Sequence, residues 1–190
     1  LTPSGWHGVT TVVMGNCGFT LAPCKQEDAD MVFRNLERAE DLSRDAMLEG
    51  IDWRWETFPE FLDVIDELPK GINYAGYIGH SALRTYVMGE RAFSDAASED
   101  DVRNMQQLVK QAVQAGAIGF STSRTFNHLT ADDRPVASRI AEWDEVRAIV
   151  NAVGETGKGL FEIAGEAPGR DPERIAEYHG RLRDLAVESG

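Results

Sequence analysis

The sequence predicts an α/β fold of parallel strands joined by crossover helices, about four βα units in 190 residues. Three observations carry this. Apolar runs rich in β-branched residues alternate with stretches of helical periodicity, strand then helix, four times over. The first run, GVTTVVMGNC, is continuously apolar, as in strands covered on both faces. The second, third and fourth runs begin near residues 72, 117 and 157. That spacing of about 40 to 45 residues is the rhythm of a decorated (β/α)8 TIM barrel, of which four units make a part. A doubly wound open sheet shows the same alternation, and periodicity does not separate the two.

Taken in order, residues 8–17 are bounded by glycines and form the first strand. Residues 28–49 place Met31, Leu36, Ala39, Leu42, Ala46 and Leu48 among charges, which predicts one or two helices closed by Gly50. Residues 51–57 are a tryptophan-rich connector. Residues 59–68 read as a short helix with Phe58, Phe61, Leu62 and Ile65 on one face, closed by Pro69-Lys70-Gly71. Residues 72–79 (INYAGYIG) are the second strand, followed by a cluster of glycine and polar residues. The best helix is 98–115. Ser98 and Asp101 make a capping-box start, Val102, Met105, Leu108, Val109, Ala112 and Val113 form the stripe, and Gly116 is the C-terminal cap. Residues 117–121 are the third strand, 123–139 a polar loop, 142–153 a helix and 157–163 the fourth strand. Asp171-Pro172 is the N-cap and first position of a last helix, with Ile175, Leu182, Leu185 and Ala186 as its stripe.

Composition narrows the function. The formal net charge is −13, from 32 acidic and 19 basic residues. Such a chain repels phosphate backbones and anionic lipid, so neither nucleic acid nor a membrane surface is the expected partner. No run approaches the roughly 20 apolar residues of a membrane span, and no signal peptide is visible. Cys17 and Cys24 are too few for a disulfide framework and too far apart for a zinc knuckle or redox pair. A cytoplasmic, reducing compartment is the expectation. The chain starts at Leu1 and reaches an apolar strand within about eight residues, as a piece cut from something longer would.

In this architecture chemistry collects at the C-terminal ends of strands. The first end, Gly15-Asn16-Cys17-Gly18, offers a thiol: a zinc ligand, a nucleophile, or a small inert residue between glycines. The second offers His80 as ligand, general base or helix cap, and Arg84 as a carboxylate clamp or structural tie. The third offers Ser121, Thr122, Ser123 and Arg124, then Asn127-His128, which suit amide or carboxylate recognition and equally a solvated turn. The fourth offers Glu162, with Glu166 four residues on. Glu162 lies in an apolar strand between Phe161 and Ile163, so its carboxylate must be paired, metal-bound or on a wet interior. It shares a face with Leu160 and Ala164. His7 and His179, and the four tryptophans, read as structural, though Trp53 and Trp55 sit where a lid would. Together the ends are compatible with metal-assisted hydrolysis without demanding it. No histidine pair at metal-ligand spacing, phosphate loop or nucleophile elbow is present.

GVTTVVMGNCGFTLAPC resembles the segment carrying an early barrel strand in D-aminoacylases, the N-acyl-D-amino-acid deacylases of the amidohydrolase superfamily. IDWRWETFPEFLDVIDELPKGINYAGYIGHSALRTYVMG and AGAIGFSTSRT resemble the parts that follow, in the same order. The resemblance covers roughly residues 1 to 165. It implies a zinc hydrolase on a distorted (β/α)8 barrel, with a small β-rich domain from the chain ends. It implies that Cys17, in the GNCG motif, is a zinc ligand. It also implies a small-molecule N-acyl amino acid, or a related amide, as substrate.

The chain departs from the family too. The family's paired histidines precede the position of Leu1, and its later histidine and catalytic aspartate follow Gly190. The resemblance thus makes residues 1–190 the central part of a barrel, without its first strand or C-terminal half, and inactive alone. The family's tyrosine-alanine-threonine-histidine run corresponds to Phe161-Glu162-Ile163-Ala164, so Ala164 stands where a histidine ligand is expected. Either Glu162 replaces it from the same strand face, or this subgroup binds metal differently or has lost the site. The competing expectations are a relative acting on another amide or cyclic amide, a barrel that has lost its metal, and a homo-oligomer formed through open barrel edges.

Overall fold

The computed structural model describes residues 2–190. Four parallel strands, β1 (Thr11–Met14), β2 (Asn73–Gly79), β3 (Gly119–Ser123) and β4 (Leu160–Ala164), lie side by side in chain order. A doubly wound sheet reverses its strand order; this sheet steps one way only, as a barrel wall does. The expected α/β half-barrel is therefore the fold. The register places Met14 opposite Gly76, Gly79 opposite Ser121, and Ser121 opposite Glu162.

The helices that cover the sheet are α1 (Thr2–Trp6), α2 (Ala29–Leu36), α3 (Arg44–Gly50), α4 (Phe58–Glu67), α5 (His80–Met88), α6 (Glu99–Ala115), α7 (Ala137–Ile140), α8 (Trp143–Gly154) and α9 (Pro172–Ser189). The core lies between strands and helices. Ile78 of β2 and Phe120 of β3 pack with Met105, Val109 and Val113 of α6 and with Val146, Ile149 and Val153 of α8. Each such side chain contributes roughly 1.5–3 kcal/mol by leaving water. The helix starts follow their capping chemistry. Ser98 Oγ accepts the Asp101 N–H at 3.2 Å, and Asp101 Oδ2 accepts the Ser98 N–H at 2.9 Å. Thr57 and Glu60 make a second reciprocal box at α4, and Asp171 caps α9 before Pro172. No helix of the described residues is long and apolar enough to cross a membrane.

Three local expectations differ from the fold. The first apolar run is a strand for only four residues, and Val13 is 44% exposed. β1 is an edge strand here, so one flank of an apolar segment lies open. The run then breaks, because Gly15 (φ 83), Cys17 (φ 59) and Gly18 (φ 82) turn the chain through left-handed conformations. The polar cluster after residue 79 is helix α5. Its buried residues include His80, Ser81, Arg84 and Thr85, so no apolar stripe announces it. Trp6, expected to pack, is 86% exposed, whereas Trp53 and Trp55 stack on each other at 4.8 Å against the core.

The turn after β1 sits directly on β2. A Cβ at Gly79 would lie 2.6 Å from the Gly18 carbonyl oxygen and 2.9 Å from Thr20 Oγ1. Gly79→Ala is therefore expected to cost about 1–3 kcal/mol by overpacking, read as a lowered urea midpoint. An unchanged midpoint would show that the turn can move off the strand freely.

Candidate functional site

The C-terminal ends of β3 and β4 hold the turn at residues 16–18 by side chains. Ser121 and Glu162 are register partners, so they share one face of the sheet. Glu162 Oε2 accepts the Cys17 N–H at 2.7 Å. Ser121 Oγ accepts the Gly18 N–H at 3.0 Å and donates to the Gly15 carbonyl. Two consecutive backbone donors are thus gripped by two neighbouring strands, which holds a non-glycine residue in the left-handed region. Gly18 favours glycine: its φ is 82, and a Cβ there would sit tightly, 3.2 Å from the Thr122 Cα.

Cys17 is half-buried. Its thiol is pushed up to about 11 by burial first, then by the charges of Glu162 and Glu40. Burial also raises the Glu162 carboxyl, against the pull of the Cys17 N–H. The Glu162 carboxylate on β4 thus disfavours the Cys17 thiolate on the turn, a penalty that a bound cation would reverse. Both are zinc donors. A catalytic zinc takes three protein donors and a structural zinc four. No group of three or more His, Cys, Asp or Glu within metal reach occurs among the described residues. A thiol and a carboxylate, both of zinc-donor type, meet at this turn, and no complete zinc site is present among the described residues.

His80 and Arg84 lie elsewhere. Successive residues of β3 face opposite sides, so Thr122 points away from Ser121, towards α5 and α8. There the His80 ring is fully buried, with Nδ1 2.7 Å from Thr122 Oγ1 and Nε2 2.8 Å from Glu145 Oε1. Arg84, also fully buried, pairs with Glu145 and donates to the Asp95 carbonyl at 2.8 Å. Burial pushes His80 down, outweighing the Glu145 hydrogen bond. Burial alone would raise Glu145, but His80 and Arg84 hold its carboxyl below the usual range. Glu145 escapes the sequence reading. Its one signal is an acidic residue beside Val146 and Ile149 in an apolar stripe.

The end of β3 continues into a loop that folds back on the turn. Arg124 reaches Glu166 at 3.3 Å, donates to the Ala141 carbonyl and lies 5.6 Å over the Trp143 ring. His128 Nδ1 is 2.7 Å from Ser123 Oγ, and its ring is 5.0 Å from that of Phe19, the residue after the turn. The structure thus gathers Cys17, Glu162 and Ser121 at one point, sets Arg124 and His128 on the adjoining loop, and puts His80 and Arg84 in the helix layer behind.

No protein-family model matches the chain. It is 34% identical over 163 residues to an uncharacterized protein of Mycobacterium tuberculosis, covering 81% of this chain and 26% of that protein. It is 36% identical over 122 residues to the D-aminoacylase of Alcaligenes xylosoxydans xylosoxydans, covering 64% of this chain and 22% of that enzyme. A crystal structure of D-aminoacylase, described as defining a novel subset of amidohydrolases, superposes with a TM-score of 0.66 at 28% identity, covering 99% of this chain and 34% of that one. The N-acyl-D-glutamate deacylase of Bordetella bronchiseptica, complexed with zinc and a phosphonate inhibitor, shares the fold with a TM-score of 0.68 at 22% identity, over 98% of this chain and 34% of that one. The chain spans only about a quarter to a third of the length of the relatives it matches. By sequence and by fold together, it is homologous to part of the D-aminoacylases, a group of the amidohydrolase superfamily.

Proposed function

We propose that this chain supplies part of the active site of a zinc-dependent amidohydrolase that cleaves the amide bond of N-acyl-D-amino acids. The observation that carries the reading is the Cys17 turn, clamped by Ser121 and Glu162 at the strand ends of a D-aminoacylase homologue. Cys17 and Glu162 are the donors that would hold zinc. Bound zinc polarises a scissile carbonyl and lowers the pKa of a water. With two donors, residues 1–190 alone are inactive, as the central barrel part of a longer enzyme.

The chain's other residues act around that pair. Ser121 fixes the turn and stands beside the substrate. Arg124, half-buried over Trp143, faces the substrate from the β3 end. His80 and Arg84 reach the site only through Thr122, and we assign them to positioning β3 instead of touching substrate. Two free cysteines suit a reducing, cytoplasmic compartment. In a free-standing half-barrel, the edges of β1 and β4, unpaired among the described residues, would be the surfaces on which a homo-oligomer forms. Ala164, opposite Ser123, brings no donor to the end of β4, which favours as second reading a barrel that has given up its metal.

Zinc content after reloading, measured by elemental analysis, tests this. Weakly held zinc, below one per chain as two donors imply, is expected, lost in Cys17→Ala and kept in Cys24→Ala, because the buried Cys24 thiol donates to the Lys25 carbonyl and is pushed up to about 12. Zinc that follows Cys24, or no zinc in the parent chain, would count against the site.

A further inference from the structure

Arg124, His128 and Arg139 stand close together between β3 and α8, at the same end of the sheet as Cys17. Most arginines of this acidic chain meet a carboxylate: Arg34, Arg54, Arg91 and Arg147 do so on the surface, Arg84 in the interior. Arg139 is half-buried and forms no ion pair among the described residues. Its Nη1 donates to the carbonyls of His128 at 3.1 Å and Phe126 at 3.2 Å. Its Nε and Nη2 meet no acceptor among the described residues. Burial, then the Arg124 charge, pushes Arg139 down, whereas carboxylates push Arg34 and Arg147 up. A half-buried cation beside a second cation, in a chain of net charge −13, is a position that an anion stabilises.

His128 is oriented for the same neighbourhood. Ser123 holds its Nδ1, Phe19 packs against its ring, and Nε2 has no partner among the described residues. Burial, then the charge of Arg139, keeps the ring below the ordinary histidine range. Arg139 braces the backbone of the same loop through the His128 carbonyl.

The geometry points to Arg139, flanked by His128 and Arg124, as a carboxylate-binding element that this loop contributes to the substrate site. The inference rests on the hydrolase reading, since every N-acyl amino acid carries a free α-carboxylate. Nε–H and Nη2–H form the side-on fork that arginine offers to the two oxygens of such a group. His128 Nε2 is placed to accept from or donate to the neighbouring amide, according to its tautomer.

The test is a nitrogen-15 NMR titration of the chain with N-acetyl-D-leucine, with its neutral amide N-acetyl-D-leucinamide, and with inorganic phosphate. The acid is expected to shift the Arg139 Nε–H and His128 ring signals, and the neutral amide to leave the Arg139 signal in place. Arg139→Gln should bind the acid about tenfold or more weakly. Arg139→Lys keeps the charge and a donor for the loop carbonyls but loses the fork, so it should recover only part of the affinity. The same spectra report whether each variant is folded. Equal response to acid and amide, an Arg139→Gln affinity equal to the parent's, or no acid binding at all would overturn the assignment. So would phosphate binding at Arg139 with no acid binding there. Zinc content of the same samples separates the two proposals. Cys17-dependent zinc without acid binding removes only the loop assignment; acid binding through Arg139 without zinc removes only the metal reading.

Discussion

Glu145→Ala is expected to destabilise the fold by about 3–5 kcal/mol, the cost of breaking a buried ion pair from one side. Glu145 is the one carboxylate that reaches both Arg84 and His80 among the described residues. Without it, a fully buried guanidinium keeps only carbonyl partners, and its Nε already has no partner among the described residues. His80 Nε2 is left unbonded in an apolar layer against Phe120. Removing Arg84 together with Glu145 should cost less than the sum of the single changes, because no uncompensated charge remains. Urea denaturation of the three variants measures this, and a loss under about 1 kcal/mol for Glu145→Ala would mean that the network is solvated.

The same network sets an acid limit. His80 faces Glu145, Arg84 and Arg124, and is held neutral chiefly by burial. A histidine lowered by folding contributes stability that is full above the unfolded pKa, about 6.5, and lost as pH falls below it. Glu145, also lowered, contributes stability present above about 4.3 and lost as pH falls through its folded value. Both act in one direction, so the urea midpoint should decline on acidification from about pH 6.5. A midpoint flat from pH 7 to 4 would place neither group in a charge-sensitive core.

Much of this is legible in residue order, and the exceptions share a cause. The Ser98–Asp101 box and the Asp171-Pro172 start are local chemistry, and both helices begin there. The strands are legible because apolar runs in a parallel sheet need no partner to be recognised. Helix α5 is not, since its buried face is polar and its partners, Glu145 and Thr122, lie 65 and 42 residues from His80. Periodicity counts apolar side chains and is blind to polar ones satisfied at long range. The site divides the same way. Cys17 stands out between glycines, and Glu162 stands out inside an apolar strand. That one holds the other's backbone is a matter of register, Ser121 opposite Glu162, which no spacing along the chain encodes. Arg139 is plain in sequence, and that it meets no carboxylate among the described residues emerges only from the fold.

Glu162→Ala should weaken zinc binding by more than about 100-fold, beyond the 10–100-fold that loss of a supporting hydrogen bond costs. Two roles are combined in this carboxylate. Oε2 accepts the Cys17 N–H and holds the turn, while Oε1 has no hydrogen bond among the described residues and stands available as a donor to metal. Glu162→Gln separates them. Its amide oxygen can still accept the Cys17 N–H, but it lacks the charge that makes a carboxylate a zinc ligand. If Glu162 is a ligand, the glutamine variant should bind zinc as poorly as the alanine variant. If Glu162 only positions Cys17, glutamine should restore most of the affinity, and the second donor must be sought elsewhere. Ser121→Ala is the internal comparison: it releases the Gly18 N–H and the Gly15 carbonyl but removes no metal donor, so its loss should stay within the 10–100-fold range. A Ser121→Ala loss as large as that of Glu162→Ala would mean that the turn itself, held in a left-handed conformation at Cys17, is what presents the thiol to the metal.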